Sequence, residues 1–243
     1  MRLLRIPVRL VAVLWRLVVG YWTIRMRFGG FDDAQRSEAV QRWSRQMLRA
    51  LGISLHIEGE APQRGPLLLV ANHLSWLDIL VVHAARHCRF VSKAEVHHWP
   101  LIGPMAAAGG TLFIERASRR DAMRVVHHMA ESLQAGDMLA IFPEGTTSDG
   151  VELLPFHANL IQAAISAQAP VMPVGLRYVQ ADGQPSRAVL YIGDDTLVGS
   201  VLRTLGAPAF TARVHFGEAQ LAEGRDRRQW ALDLHACVDA LCR

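Results

Sequence analysis

A chain of 243 residues is long enough for one sizeable α/β domain, and a hydrophobic share of 51% with mean hydropathy +0.15 is high for a freely soluble protein. The formal charge of +4 is unevenly spread: Arg2, Arg5, Arg9, Arg16, Arg25 and Arg27 are the only charged side chains before Asp32, and the remainder carries 20 basic residues against 22 acidic ones. This excludes a basic domain surface for nucleic acid, and three scattered cysteines, Cys88, Cys237 and Cys242, exclude a disulfide framework and a metal finger.

Pro7 to Phe28 reads as one apolar helix. At about 100° per residue, Arg9, Arg16 and Arg27 fall within about 20° of one another. A single arginine stripe, with aromatic residues near its end, describes a helix lying in a membrane interface better than one spanning it. The stripe is read as touching anionic lipid; the alternative is pairing with the protein's own acidic groups. Arg16 interrupts the apolar run and no small-x-small site follows, so the segment is a poor secretory signal.

Phe31 to Leu51 is a second, amphipathic helix with Val40, Trp43, Met47 and Leu51 on one face and Gly52 as its stop. Residues 1–51 then form a membrane-docking hairpin ahead of an α/β domain over 52–243, unless the second helix simply packs on the core. Ile53–Glu58 and Leu67–Ala71 are strands, Trp76–His87 a helix, and Cys88–Ser92 a strand ending at Lys93. His97–Ala108 is a broken helix. Gly110–Glu115 is a strand ending at Arg116, and Ser118–Gln134 is a helix with Ser118 as its cap. Met138–Phe142 is a strand delivering Pro143-Glu144-Gly145. Phe156–Ala167 is a helix, Pro170–Leu176, Arg187–Ile192 and Ala212–Phe216 are strands, and Arg225–Leu241 is an amphipathic helix. Strands alternating with helices imply a mostly parallel sheet flanked by helices, with a site at the strand C-termini. His73, Lys93, Arg116 and Glu144 each follow a strand, which points to one shared site.

The densest chemistry lies in Val70-Ala71-Asn72-His73-Leu74-Ser75-Trp76-Leu77-Asp78. If His73 sits in the turn before the helix and Asp78 in its first turns, the carboxylate reaches one ring nitrogen. The other nitrogen is then free to take a proton, the arrangement of a general base acting on a hydroxyl. Ser75-x-x-Asp78 also matches a capping box with Asp in place of Glu, with His73 an ordinary turn histidine. Both readings stand on these residues alone. Ser75 is as readily a cap as anything else and is not cast as a nucleophile.

Asn72-His73-x4-Asp78, Phe113-Ile114-Glu115-Arg116, Phe142-Pro143-Glu144-Gly145-Thr146-Thr147-Ser148 and Val171-Met172-Pro173-Val174 together resemble the four motif blocks of the glycerolipid acyltransferase family. Its best-known bacterial members are the 1-acyl-glycerol-3-phosphate acyltransferases. The resemblance covers Leu55 to Val174. It implies acyl transfer to a lysophospholipid, most directly 1-acyl-sn-glycerol-3-phosphate giving phosphatidic acid. His73 would be the base and Asp78 its orienting partner. Arg116 and then Lys93 would hold phosphate, a group guanidinium pairs with bidentately. Glu144, Gly145 and Thr146 would contribute to acceptor binding. The donor would be acyl-CoA or an acyl carrier protein. No metal and no further cofactor is implied. The location would be the cytoplasmic face of the inner membrane.

Two departures bear on the acceptor. The third block commonly carries an arginine where Thr147 stands, and a basic Phe-Lys-x-Gly segment is here Phe156-His157-Ala158-Asn159. A lyso-ornithine lipid is therefore the alternative acceptor. From another class, a non-catalytic membrane lipid-binding protein would share the N-terminus but has no need of the His73–Asp78 pair. His83 and His87 have zinc-pair spacing without a third ligand and read as a solvated helix face; His97-His98 and His127-His128 read as surface or interface residues.

Overall fold

A computed structural model describes residues 2–114 and 119–243. The chain begins with a long helix, α1 (Arg2–Arg27), and a 3-10 turn at Phe28–Gly30. Asp32 starts α2 (Asp33–Leu51) through a reciprocal cap. Its carboxylate accepts from the Gln35 N–H at 2.8 Å, and the Gln35 side chain accepts from the Asp32 N–H at 3.0 Å. Gly52 ends α2 as expected, at φ 78°, where a Cβ would be strained.

The sheet domain follows. In order come β1 (Ile53–Glu58), β2 (Leu67–Ala71), α3 (Leu77–Ala85), β3 (Arg89–Lys93), a 3-10 turn at Ala94–His98, α4 (Ile102–Ala108) and β4 (Leu112–Ile114). Then come α5 (Arg119–Gln134), β5 (Met138–Ile141), α6 (Gln162–Ala167), β6 (Val171–Val179), α7 (Leu197–Gly206), β7 (Phe210–Phe216) and α8 (Arg227–Leu241). The described residues form a seven-stranded sheet in the order β1-β7-β6-β2-β5-β3-β4. Neighbours are parallel except β6 and β7, which run antiparallel. The mostly parallel α/β architecture is the one the alternation implied.

Period-two alternation along the strands divides the core. Leu67, Leu69 and Ala71 of β2 face one apolar cluster, with Met47, Leu48 and Leu51 of α2, Leu77 and Val81 of α3, and Leu205 of α7. Leu68 and Val70 face the other, with Val125 and Met129 of α5, Ala163 of α6 and Trp230 of α8. Of the two readings of α2, packing on the core is the one found.

Some local expectations differ. The helix read over Phe156–Ala167 starts only at Gln162. The His157 N–H is instead drawn to the Pro143 carbonyl at 2.8 Å, which ties this stretch to the loop after β5. Arg187–Ile192 is not a strand but a 3-10 turn over Arg187–Val189, beyond which the Tyr191 N–H bonds the Leu74 carbonyl at 3.2 Å. The α7 helix was not anticipated. The Ser118 cap lies outside the described residues.

The arginine stripe of α1 requires a correction. Arg9 Nη1 donates to the carbonyls of Leu205 (3.0 Å) and Ala207 (2.7 Å), and Arg16 Nη1 donates to Gln46 Oε1 at 3.0 Å. Arg9 and Arg16 face the protein, and their partners are not acidic, whereas Arg27 at the end of the stripe is exposed. The last carbonyls of α7 lack intrahelical donors and carry the negative end of the helix dipole, so a guanidinium suits them well. From Pro7 to Trp22 α1 turns an apolar face outward, with Val11 68% exposed, Trp15 62% and Trp22 55%, and its last turn exposes charge, at Arg25 and Arg27. By length and composition the segment Arg5–Gly30 is apolar enough to cross a membrane. The α1–α2 contact depends on Gly20, where a Cβ would lie 2.5 Å from Trp43 Nε1, which donates to the Arg16 carbonyl at 2.8 Å.

Gly20→Val is expected to lift α1 from α2 or to cost Trp43 its hydrogen bond, lowering stability by about 1–3 kcal/mol. Thermal melting of the variant, with limited proteolysis around Phe28–Phe31, checks this; a wild-type melt and cleavage pattern would contradict it.

Candidate active site

β2 ends at Ala71, and the next side chain does the work of a strand. Asn72 Nδ2 donates to the Leu176 carbonyl at 3.0 Å, and its Oδ1 accepts from the Leu176 N–H at 2.7 Å. This amide pair prolongs the β2–β6 ladder by one step and lets the backbone leave the sheet. His73 follows in the turn before α3, and Asp78 lies in that helix's first turn.

The Asp78 carboxylate is completely buried. Its Oδ2 accepts from His73 Nδ1 at 2.8 Å, from the Leu74 N–H at 2.6 Å and from the Ser75 N–H at 2.9 Å. Its Oδ1 accepts from the Tyr178 hydroxyl at 2.6 Å. A carboxylate oxygen only accepts, so Nδ1 carries the imidazole proton and Nε2 keeps the lone pair. Among the described residues Nε2 has no partner, and the His73 side chain is 19% exposed. Ser75 is buried and its Oγ accepts from the Leu77 N–H at 3.3 Å, which is a local capping contact.

The peptide of His73 is held as firmly as its ring. Glu144 Oε1 accepts from the His73 N–H at 2.6 Å, and Oε2 accepts from the Leu154 N–H at 3.0 Å. The Ser148 N–H donates to the His73 carbonyl at 2.8 Å. Burial pushes the Glu144 carboxyl above its ordinary value, and these backbone donors oppose that. Both oxygens of Glu144 are thus engaged by the protein's own backbone. Gly145 turns at φ 73° beside the His157 ring, 3.0 Å from where a Cβ would be. Thr146 is exposed. The Thr147 hydroxyl is bonded to the Tyr191 carbonyl.

The sheet order sets the C-terminal ends of β2, β5, β3 and β4 side by side. Lys93 closes β3, exposed, and has no polar partner among the described residues. It lies two strands from β2, about 10 Å away at about 4.8 Å per strand. Arg116 lies outside the described residues, beyond the end of β4.

Sequence reasoning missed Tyr178 and gave no role to Phe142 and Ser148, the two ends of its third motif block. The strand was read as ending at Leu176, so a lone hydroxyl two residues further, on the same apolar face, went unread; a buried phenol needs a partner, and that was the available signal. Phe142 stacks on the His73 ring at 4.0 Å between centroids and 8° between planes. The stack continues through Phe90 to His83 and His87. His83 is therefore not on a solvated face. It is buried, its Nδ1 has no partner among the described residues, and burial with the charge of His87 pushes it down to about 3. Among the described residues no group of histidines, cysteines and carboxylates is arranged to hold a metal ion.

The model of the acyltransferase family matches residues 52–177. The chain belongs to the acyltransferase family. It is 38% identical over 217 residues to the lyso-ornithine lipid O-acyltransferase of Pseudomonas aeruginosa, spanning 89% of this chain and 83% of that protein. It is also 38% identical over 219 residues to the 1-acyl-sn-glycerol-3-phosphate acyltransferase of Neisseria meningitidis, spanning 88% and 86%. The fold matches the crystal structure of the 1-acyl-sn-glycerophosphate acyltransferase of Thermotoga maritima with a TM-score of 0.71 at 20% identity, over 99% of this chain and 95% of that one.

His83 makes a prediction about acid stability. Its value in the folded chain lies below the ordinary 6.5, so the unfolded chain binds its proton first. The stabilisation is complete above about pH 6.5 and falls as pH drops from there towards about 3, by at most about 1.4 kcal/mol per pH unit. Urea unfolding at pH 7.5 and 5.0 should show the loss, and His83→Phe should remove part of it. An unchanged pH slope in that variant would contradict the assignment.

Proposed function

We propose that this acyltransferase moves a fatty acyl group from an acyl thioester to the free hydroxyl of a lysolipid, with His73 as general base. The observation that carries the reading is the imidazole held on Asp78 through Nδ1 with Nε2 unpartnered and partly exposed. Nε2 takes the hydroxyl proton as the oxygen attacks the thioester carbonyl. Asp78 holds the tautomer and offsets the imidazolium charge. The C–S bond breaks, the thiolate leaves, and the proton passes from the imidazolium to the sulfur. No covalent acyl-enzyme is needed, in keeping with Ser75's buried capping role. The donor is acyl-CoA or an acyl carrier protein.

For the acceptor, 1-acyl-sn-glycerol-3-phosphate is the first reading. Lys93, exposed and without a partner among the described residues, is a cation within about 10 Å of β2 on the same edge of the sheet, and supports a phosphate-bearing head. One observation favours the second reading, a lyso-ornithine lipid. Thr147 stands where an arginine is usual in the family, and its hydroxyl is spent on the Tyr191 carbonyl, so that position offers the head group no cation. Glu144 acts in this scheme by holding the His73 peptide. The apolar outward face of α1 rests against lipid at the cytoplasmic side of the inner membrane, which brings the site to an acceptor that never leaves the bilayer.

Purified protein in detergent, given acyl-CoA with each acceptor in turn, tests the function. His73→Ala should lose about 10²–10⁴-fold in kcat while keeping its melting temperature, since one positioned base is worth about that much. A folded His73→Ala protein with normal turnover would end the mechanism. Lipid binding with no turnover from acyl-CoA or acyl carrier protein would favour a non-catalytic binding protein. Between the acceptors, preferential use of the ornithine lipid would assign the missing cation at Thr147 to a changed substrate.

A further inference from the structure

We propose that Tyr178 is a positioning residue for acyl transfer: its hydroxyl holds Asp78 Oδ1 so that the other carboxylate oxygen is presented to His73. The inference rests on the general-base reading of His73 and extends it to a residue 105 positions further along the chain.

The geometry has three parts. First, the carboxylate is divided: Oδ2 takes the His73 ring and two backbone amides, whereas the Tyr178 hydroxyl at 2.6 Å is the donor to Oδ1. Without that hydroxyl, Oδ1 would be a buried charged oxygen with no donor among the described residues, and rotation of the carboxylate would compete with the His73 bond. Second, the donor is rigidly mounted. β6 pairs with β2 up to Ala71 opposite Val174 and then continues alone on that side to Val179. The overhang grips the catalytic turn twice, through the Leu176 backbone on Asn72 and the Tyr178 hydroxyl on Asp78. Third, packing does not explain a tyrosine. Tyr178 belongs to an apolar cluster and meets Phe210 edge-on at 6.1 Å, surroundings that a phenylalanine ring would suit equally well. Burial, together with the Asp78 charge and this hydrogen bond, holds the phenol well above its ordinary value, so it stays a donor.

Among the described residues, the ionisable groups facing the pair are few. Tyr178 approaches from β6, and Glu144 approaches the His73 peptide from the loop after β5, with His157 beside Gly145 on that loop. The Phe142 ring on the His73 face is uncharged. Removing the Tyr178 hydroxyl leaves more of the carboxylate's charge for the imidazolium. The acid limb of the pH profile of kcat/KM then moves to higher pH. A stronger donor at the same place moves it to lower pH.

The test uses the full chain with acyl-CoA and whichever of the two acceptors turns over. Tyr178→Phe should lower kcat about 10–100-fold, the usual worth of a hydrogen bond to a charged group, with the acceptor KM little changed and the acid limb raised. Site-specific 3-fluorotyrosine at 178, whose phenol is more acidic and which preserves packing, should shift the limb the other way; it also serves if the phenylalanine variant does not fold. In an Asp78→Asn background the Tyr178→Phe loss should largely vanish. A folded Tyr178→Phe enzyme with wild-type kcat and pH profile, or the same fold-loss in both backgrounds, overturns the inference. His73→Ala separates the two failures. If it is inactive and Tyr178→Phe is normal, only the positioning role falls; if it is active, the base reading falls and the positioning role with it.

Discussion

The structure of the site depends on keeping one carboxylate charged where water does not reach. Asp78 is fully buried, and an ion in such a place is tolerable only when donors replace its hydration. Its four donors come from a histidine, two consecutive backbone amides and a tyrosine on a distant strand. The two amides oblige the chain to curl around the carboxylate immediately after the sheet, and that curl is what turns the His73 ring onto it. The end of β2, the start of α3 and the overhang of β6 are consequently mutually constrained.

A second buried carboxylate completes the frame from the opposite side. Glu144 accepts from the His73 N–H and from the Leu154 N–H, so it ties the His73 peptide to the loop that leaves β5. One carboxylate governs the ring and the other governs the backbone beneath it. Phe142 lies flat against the remaining face. Little of this ordering requires a bound ligand, which is the condition under which electrostatic preorganisation is effective in catalysis.

The readable parts of this protein were the local ones. His73 and Asp78 are five residues apart across a strand-to-helix turn; spacing predicted their contact, and the resemblance to a family motif singled them out as a pair. Gly52 was readable because a left-handed helix stop has few other solutions. The parallel sheet followed from alternation, and with it the shared edge of His73, Lys93 and Glu144. Tyr178 could be read only as a hydroxyl in want of a partner, because the partner, Asp78, lies across 100 residues of chain. The arginine stripe of α1 was visible as charge, but the partners of Arg9 and Arg16 are main-chain carbonyls and a glutamine amide, which leave no mark on a charge pattern. The stretch before α6 has helical composition and is held out of the helix by one backbone bond to Pro143. In each case a tertiary partner outweighed the local preference.

The attachment of Arg9 to α7 has an implication for drift in this part of the molecule. The guanidinium grips the Leu205 and Ala207 carbonyls, atoms every residue possesses. The side chains at those positions are therefore free to change, within the limits of core packing, without releasing the N-terminal helix. The latch tolerates substitution on one side and is vulnerable on the other, at a single arginine. Variation among descendants of this chain should accordingly be asymmetric, lax in the identity of residues at the end of α7 and strict at position 9.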